Sequence, residues 1–222
     1  MERLTETGCR LTVFHLKILA MISMSVDHVG ALLFPDAWYL RCVGRLAFPI
    51  FCFVLVEGCH HTGNLRRYMG RMGIFAVVSE IPYNLAFGHS LWMPEKQNVF
   101  FTLLIGLVML WVLQQERDTV TRIGVVVLAM WAAEFLRADY GFRGILLIVI
   151  FQMTRGQAAL RTGLGGAWNF LWQSRVQYAG AAAMVPIALY GGERGRKMKY
   201  FFYLFYPVHL LILYALSLWV HG

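Results

Sequence analysis

The chain has 222 residues, of which 59% are hydrophobic and only 14% charged, with a mean hydropathy of +0.57. A water-soluble domain carries about 45–50% apolar and about 25% charged residues, so the composition excludes one and points to an integral membrane protein with no separate soluble domain. The formal net charge of +8 lies mostly in short segments between apolar runs, which suits membrane orientation and contact with anionic lipid or phosphate; no basic, aromatic-interleaved surface marks a nucleic-acid partner.

The lead MERLTETGCR is too polar and too mixed in charge for a signal peptide, so the first apolar run is expected to be retained. That run, Leu16 to Phe34, reads LKILAMISMSVDHVGALLF. At about 1.5 Å per helical residue it is long enough to cross a hydrocarbon core of about 30 Å. Asp27 and His28 sit inside it. A charge at such depth costs at least about 2.5–3.5 kcal/mol, a cost Leu or Ala would not carry. The pair therefore marks either a membrane-embedded reaction centre or a structural polar contact between helices.

The second run, Val43 to Cys59, holds Arg45 and Glu57, and Pro49 is expected to kink it. His60 to Arg71 reads as a basic loop. The third run, Met72 to Phe87, contains Glu80 and Pro82, and His89 to Asn98 reads as a loop. The fourth run is Val99 to Leu113, the fifth Ile123 to Leu136 with Glu134 near its end, and the sixth Phe142 to Met153. Residues 157–173 form a weak seventh segment, and Val176 to Tyr190 an eighth with Pro186. After the basic stretch GGERGRKMK, Tyr200 to Val220 closes the chain with Pro207 and His209.

Charge sets the orientation. Arg66, Arg67 and Arg71 place their segment in the cytoplasm, and Arg194, Arg196, Lys197 and Lys199 do the same for theirs. Two crossings are then needed between Arg155 and Glu193. The expectation is a single all-α domain over 1–222, a polytopic membrane helix bundle of about nine transmembrane helices, or alternatively eight, with the N-terminus cytoplasmic.

Asp27, His28, Arg45, Glu57, Glu80, Glu134 and His209 cannot face lipid cheaply and should point into the bundle. Arg45 is expected to pair with Glu57 or Glu80. Adjacent residues on a helix lie about 100° apart, so Asp27 and His28 do not share a face. A direct Asp27–His28 contact needs helpful rotamers, and the alternative is that His28 meets a group on another helix, such as His209, Tyr206 or Glu80. No metal site is expected: H-E-x-x-H is absent, and the adjacent His60 and His61 do not converge well on one ion. Cys9, Cys42, Cys52 and Cys59 read as small buried hydrophobes.

Several blocks together carry a family resemblance. LKILAMISMSVDHVGALLFP, with its D-H-x-G ending, and LRCVGRLAFPIFCFVLVEGCHHTGNLRRY open the series. SEIPYNLAF, QNVFFTLLIG, DYGFRGILLIVIFQM and KYFFYLFYPVHLLILY continue it. The chain resembles the TraX family, named for a plasmid protein that N-acetylates F-pilin and similar to a wider group of transmembrane acyl transferases. The resemblance implies a multi-pass cell-membrane acyltransferase that moves an acetyl group from cytoplasmic acetyl-CoA to an amine or hydroxyl of a peptide, pilin-like protein or glycan. It implies His28 as the catalytic base, supported by Asp27. Arg45, Glu57, Glu80, Gln97, Asn98, Asp139, Tyr206 and His209 are the candidate pocket, oxyanion and network residues. Arg66, Arg67, Arg71, Arg194, Arg196, Lys197 and Lys199 are candidates for the CoA phosphates, since charge-assisted bonds suit them to that task. Orientation alone accounts equally for those basic segments. The competing reading is a non-enzymatic proton-coupled carrier using the same His and carboxylates. A carrier should show internal repeats, and none is evident.

Overall fold

The computed structural model describes residues 10–172, 174–196 and 198–221, without the side chains of Lys199 and His221. Every regular element among them is helical. The α-helices are α1 (Val13–Leu32), α2 (Trp38–Gly44), α3 (Ala47–His61), α4 (Leu65–Val78), α5 (Glu80–Gly88), α6 (Val99–Leu113), α7 (Thr119–Phe135), α8 (Gly141–Met153), α9 (Ala158–Phe170), α10 (Met184–Ala188) and α11 (Lys199–His221). A 3₁₀ helix, Gln177–Ala183, leads directly into α10.

Prolines divide three of the helical rods. A proline ring clashes with the carbonyl four residues earlier and offers no N–H to it. Pro49 sits in the first turn of α3, and the break between α2 and α3 falls at Arg45 and Leu46. Pro82 sits in the first turn of α5, and the break after α4 falls at Ser79, next to Val78. Pro186 lies in α10, just after the 3₁₀ turn. Pro207 alone is accommodated inside a long helix, α11.

Joining the pieces across these breaks yields nine rods among the described residues, each overlying one of the apolar runs of the sequence. Three stretches are long and apolar enough to cross a membrane by themselves: Val13–Leu32, Trp38–His61 and Tyr200–Val220; Val99–Leu113 and Gly141–Met153 are shorter apolar helices. Exposed Ile123, Val127, Leu128 and Trp131 on α7, and Leu204, Val208, Leu211 and Ile212 on α11, form apolar outer faces. Patches of that kind suit lipid, not water. The fold is an all-α bundle of membrane type.

The stretch from His60 to Arg71 is not a loop. α3 runs to His61 and α4 starts at Leu65, leaving only residues 62–64 between them. Asn64 caps α4 by accepting from the Arg67 N–H at 2.9 Å. Leu, Arg and Met extend a helix readily once it is capped, so the arginines ride on its first two turns. Residues 177–188 likewise form a 3₁₀ turn and a short helix, not one regular span.

The start of α1 is fastened to the turn before α11. Leu11 and Tyr190 pair in a short bridge. The Val13 and Phe14 N–H groups, which a helix start leaves without partners, donate to the Glu193 and Arg194 carbonyls at 2.9 and 3.2 Å. Gly195 makes that wrap possible: its φ is +66°, and a Cβ there would strike the Thr12 hydroxyl. The beginning of α1, the α3–α4 turn and residues 191–196 thus share one end of the bundle. The segment 96–98 and residues 137–139 meet at the other, where the Gln97 N–H donates to the Arg137 carbonyl at 2.9 Å.

Candidate functional site

Asp27 and His28 lie in the last two turns of α1, nearer its C-terminal end than the sequence suggested. Their side chains diverge. Asp27 faces α2, where Arg41 and Arg45 stand four residues apart on one face. Arg41 Nη1 donates to Asp27 Oδ2 at 2.8 Å and to the Asp27 carbonyl at 3.1 Å. Arg45 Nη2 donates to Asp27 Oδ1 at 2.6 Å and to Oδ2 at 2.8 Å. The helices approach this closely because residue 44 is glycine: a Cβ there would overlap the Asp27 carboxylate. The Ser23 hydroxyl completes the clasp by donating to the Val43 carbonyl at 2.7 Å.

His28 turns instead to α11. Its Nδ1 lies 2.7 Å from His209 Nε2, with the two rings within 8° of parallel. His209 Nδ1 lies 2.8 Å from the Phe205 carbonyl oxygen. A carbonyl can only accept, so His209 Nδ1 carries the proton and, in the neutral ring, its Nε2 is the acceptor. His28 Nδ1–H must then donate to it, which leaves the lone pair of neutral His28 on Nε2. That nitrogen has no hydrogen-bond partner among the described residues. Phe87 and Tyr206 stand edge-on to the His28 ring, at 5.4 and 6.1 Å between centroids. Arg41, Arg45 and Lys96 all lie within electrostatic range of the imidazole. Lys96 is itself held by Asp139 at 2.5 Å.

Other expected members are placed elsewhere. Glu80 pairs with neither Arg45 nor His28. It accepts from both the backbone N–H and the side-chain amide of Asn98, whose carbonyl oxygen caps α6 through the Phe100 N–H at 3.0 Å. Gln97 contributes through its backbone bridge to Ala138. Glu134 accepts from the Phe142 N–H at 2.8 Å and anchors the start of α8. Glu57 does not meet Arg45, which lies on the far side of the α2–α3 break. Twelve residues separate the two, about 18 Å of helix. Glu57 binds Arg155 at 3.4 Å, the Tyr190 hydroxyl at 3.2 Å and His61 at 3.7 Å. The Tyr190 hydroxyl is the donor in its contact with Glu57, since a carboxylate only accepts.

At that same end a cleft of about 300 Å³ opens between α1, α3, α4, α6 and α11. Its mouth carries Lys17, Arg71, Arg194 and Arg196, with Glu57 and His61 beside them. Both basic segments of the sequence therefore converge on one cleft. Arg66 and Arg67 are exposed on α4 and do not line it. Lys197 and the side chain of Lys199 lie outside the described residues, as do Arg3 and Cys9. Phe51 and Phe100 line the cleft farthest from its mouth. Phe100 packs edge-to-face on Tyr206, 5.1 Å between centroids, and Tyr206 abuts His28. The Phe100–Tyr206 pair thus links the cleft wall to the imidazole.

Sequence reading missed Arg41, whose i, i+4 spacing to Arg45 was the available signal, and Phe100, which carries no signal beyond being apolar.

An intramembrane-type polar centre and a basic cleft in one helical bundle define a class, and comparison with known proteins supplies the family. The TraX protein family model matches residues 13–217, and the chain belongs to that family. A protein of Dichelobacter nodosus called probable fimbrial assembly protein FimC, serogroup H1, is 29% identical over 231 residues, covering 91% of this chain and 94% of that protein. An uncharacterized protein of Rickettsia prowazekii (strain Madrid E) is 24% identical over 139 residues, covering 61% of this chain and 52% of its own length. No solved structure matches.

Proposed function

We propose that this protein is a multi-pass cell-membrane acetyltransferase. It takes an acetyl group from acetyl-CoA held in the basic cleft and passes it to an amine or hydroxyl brought to His28. The cleft end, with the N-terminus, faces the cytoplasm, because Lys17, Arg71, Arg155, Arg194 and Arg196 gather there. The name of the Dichelobacter relative points to a pilin-like subunit as the acceptor.

The observation that carries this reading is the ordered pair His28–His209, which presents an unbonded imidazole Nε2 inside a helical bundle. His28 Nε2 takes the proton of the attacking amine or hydroxyl as its nitrogen or oxygen bonds to the thioester carbonyl carbon. The C–S bond then breaks, and the proton passes to the departing sulfur. Arg41, Arg45 and Lys96 supply a positive field for the oxyanion that forms between these steps. The Arg45 Nε–H, buried and without a hydrogen-bond partner among the described residues, is a candidate donor to it. Asp27 is a positioning residue: it holds both arginines and does not touch the imidazole.

The cleft suits the donor's phosphates. Arg71 Nε is buried there without a hydrogen-bond partner among the described residues, and a phosphate would supply charge-assisted bonds. Lys17 to His28 is eleven residues, about 16 Å along α1, so the donor must bind extended, with its long arm running toward Phe100. The test is release of free CoA from acetyl-CoA by the purified protein with a pilin N-terminal peptide. His28→Gln keeps hydrogen-bonding capacity but is not a base at neutral pH. It is expected to lose about 10²–10⁴ in rate with CoA affinity unchanged. Wild-type rates in His28→Gln would end the assignment.

A further inference from the structure

One cation at this end of the bundle, Arg161, is not explained by acetyl transfer. Arg161 lies in the first turns of α9 and is only 8% exposed. Its guanidinium sits 4.9 Å above the Phe53 ring. Its Nε is buried with no hydrogen-bond partner, and the group makes no ion pair among the described residues. Glu57 is within electrostatic range but is already engaged by Arg155 and the Tyr190 hydroxyl.

A cation–π contact offsets only part of the cost of removing a guanidinium from water. Position adds to the imbalance. The first turn of a helix carries the positive end of its dipole, where a cation is disfavoured. The N-cap residue, Gln157, offers no side-chain bond to the helix N–H groups. Arg161 is the fourth residue of α9, so its partnerless Nε and the uncapped helix start belong to one helix end, and both favour an anion.

We infer that Arg161, with Arg155 and the start of α9, forms a phosphate-binding site at the basic end of the bundle. Phosphate suits the site because a planar guanidinium bonds its oxygens in pairs, and backbone N–H groups at a helix start bind phosphate well. The charges agree: Arg155, Arg161 and nearby Arg194 outnumber Glu57 and the Glu193 that precedes Arg194. Two sources share this chemistry. Exposed Leu160 and Leu164 on α9 offer apolar surface to the tails of a phospholipid. Arg194 and Glu57, which also line the cleft, connect the site to a nucleotide phosphate. The site stands whether or not the protein transfers acetyl groups.

The full chain purified in mild detergent tests both sources. Native mass spectrometry compares retention of phosphatidylglycerol with that of diacylglycerol, which lacks the phosphate. Calorimetry compares CoA with 3′-dephospho-CoA. A lipid phosphate predicts that phosphatidylglycerol is retained preferentially and that Arg161→Gln reduces its retention at least about tenfold, with the CoA ratio unchanged. A nucleotide phosphate predicts that CoA binds more tightly than its dephospho form and that Arg161→Gln removes the difference. Arg161→Lys, which keeps the charge without the fork, should fall between. If Arg161→Gln does not fold, the wild-type comparisons and Arg161→Lys decide. A wild type indifferent to the phosphate in both pairs, or substitutions that move neither readout, would overturn the site.

Discussion

The proton order along Phe205, His209 and His28 is fixed from one end, because a carbonyl oxygen has no proton to give. His209 holds the Nδ1–H of His28 in the way a carboxylate holds the histidine of a hydrolytic triad, so the lone pair left unbonded is on Nε2. His209→Phe should remove that hold, at about 1–3 kcal/mol for the lost buried bond, and lower turnover by about tenfold or more with CoA affinity unchanged. His209→Gln retains an acceptor and should keep more of the rate; equal activity in both variants would make His209 ordinary packing. Asp27 has a different task. Its removal leaves two guanidinium groups facing each other without a counter-charge. Asp27→Asn should therefore cost about 3–5 kcal/mol of stability, read as a lower thermal midpoint, whereas Arg41→Gln, which leaves the Arg45 pair intact, should cost less. Both Asp27 and His28 were legible in the sequence because ionisable groups are expensive at membrane depth. Their partners were only partly legible. His209 and Tyr206 were foreseen for His28 because they too are polar groups in an apolar run. Arg41 was not, because it lies just outside the run as read.

At the scale of elements, hydropathy located every rod but not its ends or breaks. An apolar run reports which residues can face lipid, and capping decides where a helix starts. Asn64 therefore turned a basic stretch into two turns of α4. Proline positions foretold the breaks, displaced by about one turn because the clash is with the carbonyl four residues back. What no local pattern could reveal is the close approach of α2 to α1. Gly44 permits it, and the Asp27 clasp depends on it. Gly44→Ala puts a methyl group where the carboxylate lies. The α1–α2 contact should be forced apart at about 1–3 kcal/mol, with a lowered thermal midpoint and reduced transfer activity. Gly124→Ala, on the exposed face of α7 with open space around it, is the matched control and should lower neither. A Gly44→Ala protein as stable and active as wild type would show that the clasp has slack.

Over the whole molecule, the cleft and the imidazole are two compartments. Arginines gather at one end, His28 lies about 16 Å further along α1, and the Phe100–Tyr206 pair fills the gap between them. An enzyme that places a thioester near a base must keep water from the same attack, and an aromatic partition that yields only to the correct occupants serves that purpose. Phe100→Ala should open the cleft to His28. Water then replaces the acceptor: its oxygen bonds to the thioester carbonyl, His28 takes a proton from it, and the proton leaves with the sulfur as acetate and free CoA form. Acceptor-independent release of CoA should rise by about tenfold or more, within the range that general-base help supplies. The rise should vanish when His28→Gln is added. Phe→Ala in a packed site costs about 3–5 kcal/mol, so a thermal midpoint must accompany the rate, and Phe100→Leu, which keeps most of the volume, should leak less. If Phe100→Ala binds CoA as wild type does and releases no more of it without acceptor, the partition lies elsewhere. If the leak appears but survives His28→Gln, the imidazole is not the base that water meets.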